Sequence, residues 1–128
     1  MRAWCAAALF FLVCSGELAA AGRIDLISDI NGRYGSVGYH SRVGEAAAVI
    51  TASPPDAVIS TVDMIAGQRQ PKLDADWLDR MWEEFTATVL QPLSASGIPF
   101  LVTPGNHDGS ALPGFVLEQE RFLHYWLR

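Results

Sequence analysis

The sequence predicts an α/β protein built on a parallel sheet, in the order strand, helix, strand, helix, strand. Three apolar runs rich in aliphatic residues stand at 23–28, 57–62 and 98–103. An alanine-rich stretch separates the first two, and a long amphipathic stretch separates the second pair. Helices of that length join parallel strands by right-handed crossovers.

The first run, RIDLIS, carries Ile24, Leu26 and Ile27 and leads to Asp29. Asn31-Gly32 and the glycines at 35 and 38 mark the loop that follows. Val43 to Ala52 suits a helix, because alanine loses no side-chain entropy there. Ser53-Pro54-Pro55-Asp56 breaks it. Ala57 to Val62 reads as a buried strand that ends at Asp63. Gly67 to Pro71 is a polar loop. Asp74 is placed to cap the next helix, with Asp76 in its first turn. Trp77, Leu78, Met81, Trp82, Phe85, Val89 and Leu90 recur at spacings of three and four and form one apolar face. Trp77, Trp82 and Phe85 are therefore read as core. Gly97 closes that helix. Ile98 to Thr103 is the third strand and runs into Pro104-Gly105-Asn106-His107-Asp108. Phe115 to Leu127 reads as an aromatic-rich helix, with His124 exposed or structural.

Composition narrows the function. The chain of 128 residues is half hydrophobic and 18% charged, which is globular rather than disordered. A net charge of −5 leaves no evident basic surface for nucleic acid. Arg2, the apolar run Ala3 to Val13 and the Ala19-Ala20-Ala21 site read as a signal peptide over residues 1–21. That run is short for a bilayer span and is followed by Ser15, Gly16 and Glu17. The expectation is a periplasmic or secreted domain at 22–128, with no membrane segment after cleavage. Cys5 and Cys14 both lie in the leader, so disulfides have no part in the mature domain. Oligomeric state is not legible.

The topology converts spacing into a site. In a parallel sheet every C-terminal strand end lies on one edge, and ligands bind outside it. Asp29, Asp63 and the Asn106-His107 turn are thereby brought to one rim. Two carboxylates and an amide oxygen suit a hard divalent cation. A cation there would offset the repulsion between crowded carboxylates, hold a phosphate and make hydroxide available from bound water. His107, one residue beyond Asn106, is placed for proton transfer to a leaving group.

Ser28-Asp29-Ile30-Asn31-Gly32, Val62-Asp63-Met64 and Gly105-Asn106-His107-Asp108 resemble the first three motifs of the calcineurin-like metallophosphoesterases, D-x-H, G-D-x-x-D and G-N-H-D/E. The resemblance covers essentially the whole chain after the leader. It implies the parallel-sheet half of a metallophosphoesterase-type α/β sandwich, and a hydrolase of small phosphomonoesters or phosphodiesters that uses metal-bound hydroxide. It implies two divalent ions, drawn from Mn, Fe, Zn or Mg. Asp29 would bind the first metal, with Asn31 in the position of a ligating histidine. Asp63 would bridge both. Asn106 would bind the second metal and touch the phosphate, and His107 would be the catalytic imidazole and a substrate contact.

Four departures accompany the match. Asn31 replaces a histidine, which shifts preference toward harder ions such as Mn²⁺ or Mg²⁺. Val62 replaces a glycine and would be strained if that position needs positive φ. Ala66 replaces the acid that orients the catalytic imidazole, so His107 is expected to lack that partner. The family's later histidines, including a G-H-x-H motif, belong downstream of Arg128. The chain is thus read as an N-terminal part with the C-terminal part of the sandwich absent, weakly active as it stands. A degenerate module that binds metal or phosphate without turnover is the alternative, and an unrelated metal-free α/β domain is a third reading. His40 is read as solvated, with a substrate contact as the alternative. Tyr34 and Tyr39 are placed in the loop after Asp29, where they could line a substrate entrance.

Overall fold

The structure is a computed structural model that describes residues 21–127. All but the last residue of the expected signal segment lies outside the described residues. The sheet consists of β1 (Ile24–Ile27), β2 (Ala57–Ser60) and β3 (Phe100–Val102), in spatial order β1-β2-β3 and all parallel. Ile27 pairs with Ser60, and Ser60 with Val102. The predicted βαβαβ order is the observed one. The chain forms three parallel strands with their helices, the half-sandwich that the resemblance implies.

Helix α1 (Ser41–Ala52) joins β1 to β2. Its N-cap is His40, whose Nδ1 accepts from the Arg42 amide at 3.2 Å. The second crossover begins with α2 (Ala75–Phe85), capped as expected by Asp74, whose Oδ1 accepts from Trp77 N at 2.8 Å. It continues through a π-helical turn (Thr86–Leu90) into α3 (Gln91–Ala95). The π turn has a local cause. Pro92 cannot donate, and its ring crowds the carbonyl one turn back. One wider turn, in which Gln91 N–H reaches the Thr86 carbonyl, shifts the register just before the proline. Gly97, at φ 71, ends the crossover, and Ile98 N returns to the Leu93 carbonyl.

The core lies between the sheet and these helices. Val58 packs with Leu78, Met81, Trp82, Phe85, Val89 and Leu93. Helix α5 (Val116–Trp126) closes it, with Phe122 buried and Tyr125 stacked on Trp82 at 4.7 Å between ring centroids. His124 is exposed. One expectation needs correction: Trp77 is only half-buried. Its Nε1 donates to the Gly35 carbonyl at 2.9 Å, and Arg80 lies over its ring. It therefore packs against the core at its margin and also anchors the loop after β1.

The helices cover one face of the sheet. On the other, Ile24, Leu26 and Leu101 are exposed, although parallel strands ordinarily bury both faces. No helix among the described residues is long and apolar enough to cross a membrane.

Candidate metal and phosphate rim

The strands end earlier than the sequence implies. β2 stops at Ser60, so Asp63 lies three residues beyond it rather than at its tip. The chain nevertheless stays in register. Thr61 N donates to the Ile27 carbonyl at 3.0 Å and Thr103 N to the Ser60 carbonyl at 3.0 Å. Beyond them, Asp29 N donates to the Val62 carbonyl at 3.2 Å, and Asn31 N to the Asp63 carbonyl at 3.3 Å. These two bonds hold the Asp29 and Asp63 loops side by side at the C-terminal edge of the sheet.

Both aspartates adopt left-handed backbone conformations, Asp29 at φ 50 and Asp63 at φ 47. Aspartate tolerates this region better than most residues, and such conformations concentrate at functional sites. The expected strain at Val62 is not there; Val62 does not have positive φ, and the unusual backbone belongs to the next residue.

The third motif forms a single helical turn, α4 (Asn106–Gly109), and locks onto the second motif through two carboxylates. Asp63 Oδ1 accepts from His107 N at 2.9 Å. Asp108 Oδ1 accepts from Met64 N and Ile65 N, each at 2.9 Å, while its Oδ2 accepts from Gly105 N at 3.0 Å. Each turn thus satisfies amides of the other, which suits buried donors that water cannot reach. Burial pushes the Asp108 carboxyl above its ordinary range, and the amides of Ile65, Gly105 and Met64 draw it partly back. Gly105 is required by proximity: a Cβ there would overlap Asp63 Oδ1 and the Asp63 backbone nitrogen.

His107 is buried, and its Nδ1 lies 2.6 Å from the Gly67 carbonyl oxygen. A carbonyl only accepts, so Nδ1 carries the proton and Nε2 is the ring nitrogen left without this anchor. The acid that the sequence leaves out is indeed absent, but the imidazole still has a partner. With Ala66 where the family has an acid, a main-chain oxygen one residue further on does the orienting. Gly67 permits the approach, since a Cβ there would run into the His107 carbonyl. Tyr34 closes the other side, its ring centroid 4.5 Å from that of the imidazole.

Asn106 is exposed at the rim, and its Nδ2 donates to Gln68 Oε1 at 2.6 Å. Gln68, itself at φ 56, donates from Nε2 to Ser110 Oγ at 3.0 Å. The chain Ser110–Gln68–Asn106 occupies the amide's nitrogen and leaves its oxygen for a ligand. Sequence reasoning missed both Gly67 and Gln68. They stand in what reads as an ordinary polar loop, and no spacing marks a backbone carbonyl as functional. Tyr39 was placed near the rim, but its hydroxyl donates to the Met64 carbonyl and so supports the Asp63 loop from behind.

Asp29, Asn31, Asp63 and Asn106, the residues expected at a metal, all offer oxygen donors, the type a hard cation takes. Asp63 has one carboxylate oxygen engaged by His107 N, and the other accepts no hydrogen bond among the described residues. Among those residues no group of three or more His, Cys, Asp or Glu side chains gathers at one point. The chemistry of the donors suits a hard cation, while the acids and histidines of the rim do not gather as a cluster among the described residues.

A parallel sheet with acidic and amide ligands on the loops at its C-terminal edge defines a class of α/β proteins that bind ligands at that edge. Residues 22–128 match the family model of the calcineurin-like phosphoesterases, and the chain belongs to that family. Its members are phosphoesterase-type hydrolases that typically bind two divalent metals. No curated protein matches the chain.

Proposed function

We propose that this protein hydrolyses a small phosphomonoester or phosphodiester with the help of a divalent ion, Mn²⁺ or Mg²⁺ before Zn²⁺, and that it acts outside the cytoplasm after removal of residues 1–21. The observation that supports the reading most is the interlock of Asp63 with His107. It puts a carboxylate and an anchored imidazole on adjoining turns. Asp29, Asn31, Asp63 and the Asn106 oxygen would hold the ion. When bound, it supplies positive charge that neutralises the phosphate and lowers the pKa of coordinated water.

The chain's own residues do the rest. The Gln68 contact turns the Asn106 oxygen toward the rim. The Gly67 carbonyl holds the imidazole with Nε2 facing away from its anchor. Nε2 is the ring position from which a proton would pass to the departing alkoxide. Tyr34 shields the ring from water on one face. With so few ligands at the rim, turnover is slow. The test is hydrolysis of p-nitrophenyl phosphate in Mn²⁺ by the unaltered chain and by Asp63→Ala. Activity in the first and none in the second is expected, and equal turnover by both would remove the reading.

A second reading, binding of metal or phosphate without turnover, is favoured by one observation: the small number of acidic and histidine ligands brought together among the described residues. Mn²⁺ calorimetry run beside the hydrolysis assay separates the two. Heat of binding without released p-nitrophenol supports the module.

A further inference from the structure

A cavity of about 690 Å³ opens beside the rim, between the end of β1, α1 and the π turn of the second crossover. Its walls are apolar: Ile27, Val43, Ala47 and Ile50 on one side, Val89 and Leu93 on the other. That volume lies within the range of small-molecule sites, roughly 300–1,000 Å³. Its polar lining is confined to Asp29, Asn31, His40 and Arg42. All four lie in the loop after β1 or at the start of α1, which is the edge of the sheet that carries the rim. Asp29 and Asn31 therefore belong to both places.

The electrostatics of that end are unusual. Arg42 is in the first turn of α1, where the helix dipole already presents positive charge and where acidic residues are preferred. The first turn of α1 contains no acidic residue. Among the described residues the Arg42 guanidinium makes no ion pair, not even with Glu45 three residues on. A cation set against the dipole with no ion-pair partner is a cost to the helix that a bound anion would offset. The cavity thus combines an apolar interior with a polar end adjoining the rim, where Arg42 stands with Asp29, Asn31 and His40.

Resting on the phosphoester reading, we propose that this cavity holds the apolar alcohol portion of the substrate, an alkyl or aryl group, while the phosphate lies at the rim within the field of Arg42. The preferred substrates are then amphiphilic phosphoesters rather than sugar phosphates.

Calorimetric titration of the full chain in Mn²⁺ with ethyl phosphate, hexyl phosphate and 1-hexanol tests it. Each added methylene is expected to tighten binding by about two- to fourfold, following the transfer free energy of a buried CH₂. Hexyl phosphate should also bind more tightly than 1-hexanol. Ala46 lines the cavity from the exposed side of α1, and Ala46→Trp should collapse the hexyl-to-ethyl ratio toward one. Equal affinities for ethyl and hexyl phosphate in the unaltered chain would overturn the pocket, and so would an undiminished ratio in Ala46→Trp. Binding of 1-hexanol as tight as that of hexyl phosphate would overturn the ligand class. The series reads binding alone, so its failure is separate from loss of p-nitrophenyl phosphate hydrolysis, which concerns the reading beneath it.

Discussion

The main-chain nitrogen of His107 donates to the carboxylate of Asp63 at 2.9 Å, across 44 positions of sequence. One bond thereby ties the loop after β2 to the turn after β3, and places the imidazole-bearing residue against the central acid of the rim. Structure and chemistry meet in the same carboxylate, so its removal has two separable consequences.

Asp63→Ala leaves the buried His107 amide without an acceptor. A lost hydrogen bond to a charged partner costs about 1.5–3 kcal/mol. The urea midpoint should fall accordingly. Asp63→Asn, which can keep a carbonyl oxygen at that point, should recover much of the stability while still losing metal affinity. Equal destabilisation by the two would show that the bond to His107 N is not the cause.

Gly105→Ala forces a methyl group into Asp63, and overpacking of this kind costs about 1–3 kcal/mol or more. Gly38→Ala is the control, because nothing lies within 4 Å of the added carbon. It should stay within about 0.5 kcal/mol of the parent. Denaturant melts of the pair check this, and a Gly105 variant as stable as the Gly38 variant would contradict the close approach.

The Gly67 carbonyl predicts the tautomer of His107. In ¹⁵N-labelled protein the neutral ring should give the signature of Nδ1–H with an unprotonated Nε2. Gly67→Ala, which pushes against the His107 main chain, should shift that signal and lower stability together. An Nε2–H tautomer in the unaltered protein would remove the proposed orientation.

Gln68→Ala releases the Asn106 amide to rotate. If Asn106 holds the cation through its oxygen, loss of this supporting contact should weaken Mn²⁺ binding by about tenfold, as outer-shell partners commonly do. Titration calorimetry reads the change directly. Unaltered affinity would show that Gln68 does not position the ligand.

Tyr39 makes the alkaline limit of stability visible. Burial, then the charges of Asp108 and Glu84, raise its phenol well above the ordinary 10.0. The folded state therefore keeps a proton that the unfolded chain releases. Below pH 10 the contribution is fully present, and it is lost as pH rises from there toward the folded value. The slope reaches at most about 1.4 kcal/mol per pH unit for one proton. Melts from pH 9 to 11 should show that slope in the parent and a shallower one in Tyr39→Phe.

How far the sequence reaches can be judged element by element. Apolar runs at 23–28, 57–62 and 98–103, with helix-forming stretches between them, were sufficient for a parallel sheet in chain order. Parallel order then placed Asp29, Asp63 and Asn106-His107 on one edge, because all strands point the same way. The Asp74 cap and the Gly97 stop were equally legible, since each depends on a side chain acting on its own backbone neighbours. Strand ends were overestimated by a residue or more, because aliphatic residues continue past the last ladder bond. The π turn before Pro92 was not foreseen.

What the tertiary structure alone decided is how the motifs touch. That Asp108 accepts from the amides of Met64 and Ile65, that the Gly67 carbonyl accepts from His107, and that Gln68 accepts from Asn106 are contacts between segments about 40 residues apart. Local pattern carries no record of such contacts, because they depend on loop paths and on the absence of two Cβ atoms. The same holds for the cavity beside the rim. Its walls come from α1 and the π turn, and only their packing leaves the space between them. The sequence determined which residues reach the edge of the sheet. The folded chain determined which of their atoms are already engaged and which remain free for a ligand, because each hydrogen bond made inside the fold removes a donor or an acceptor from the site.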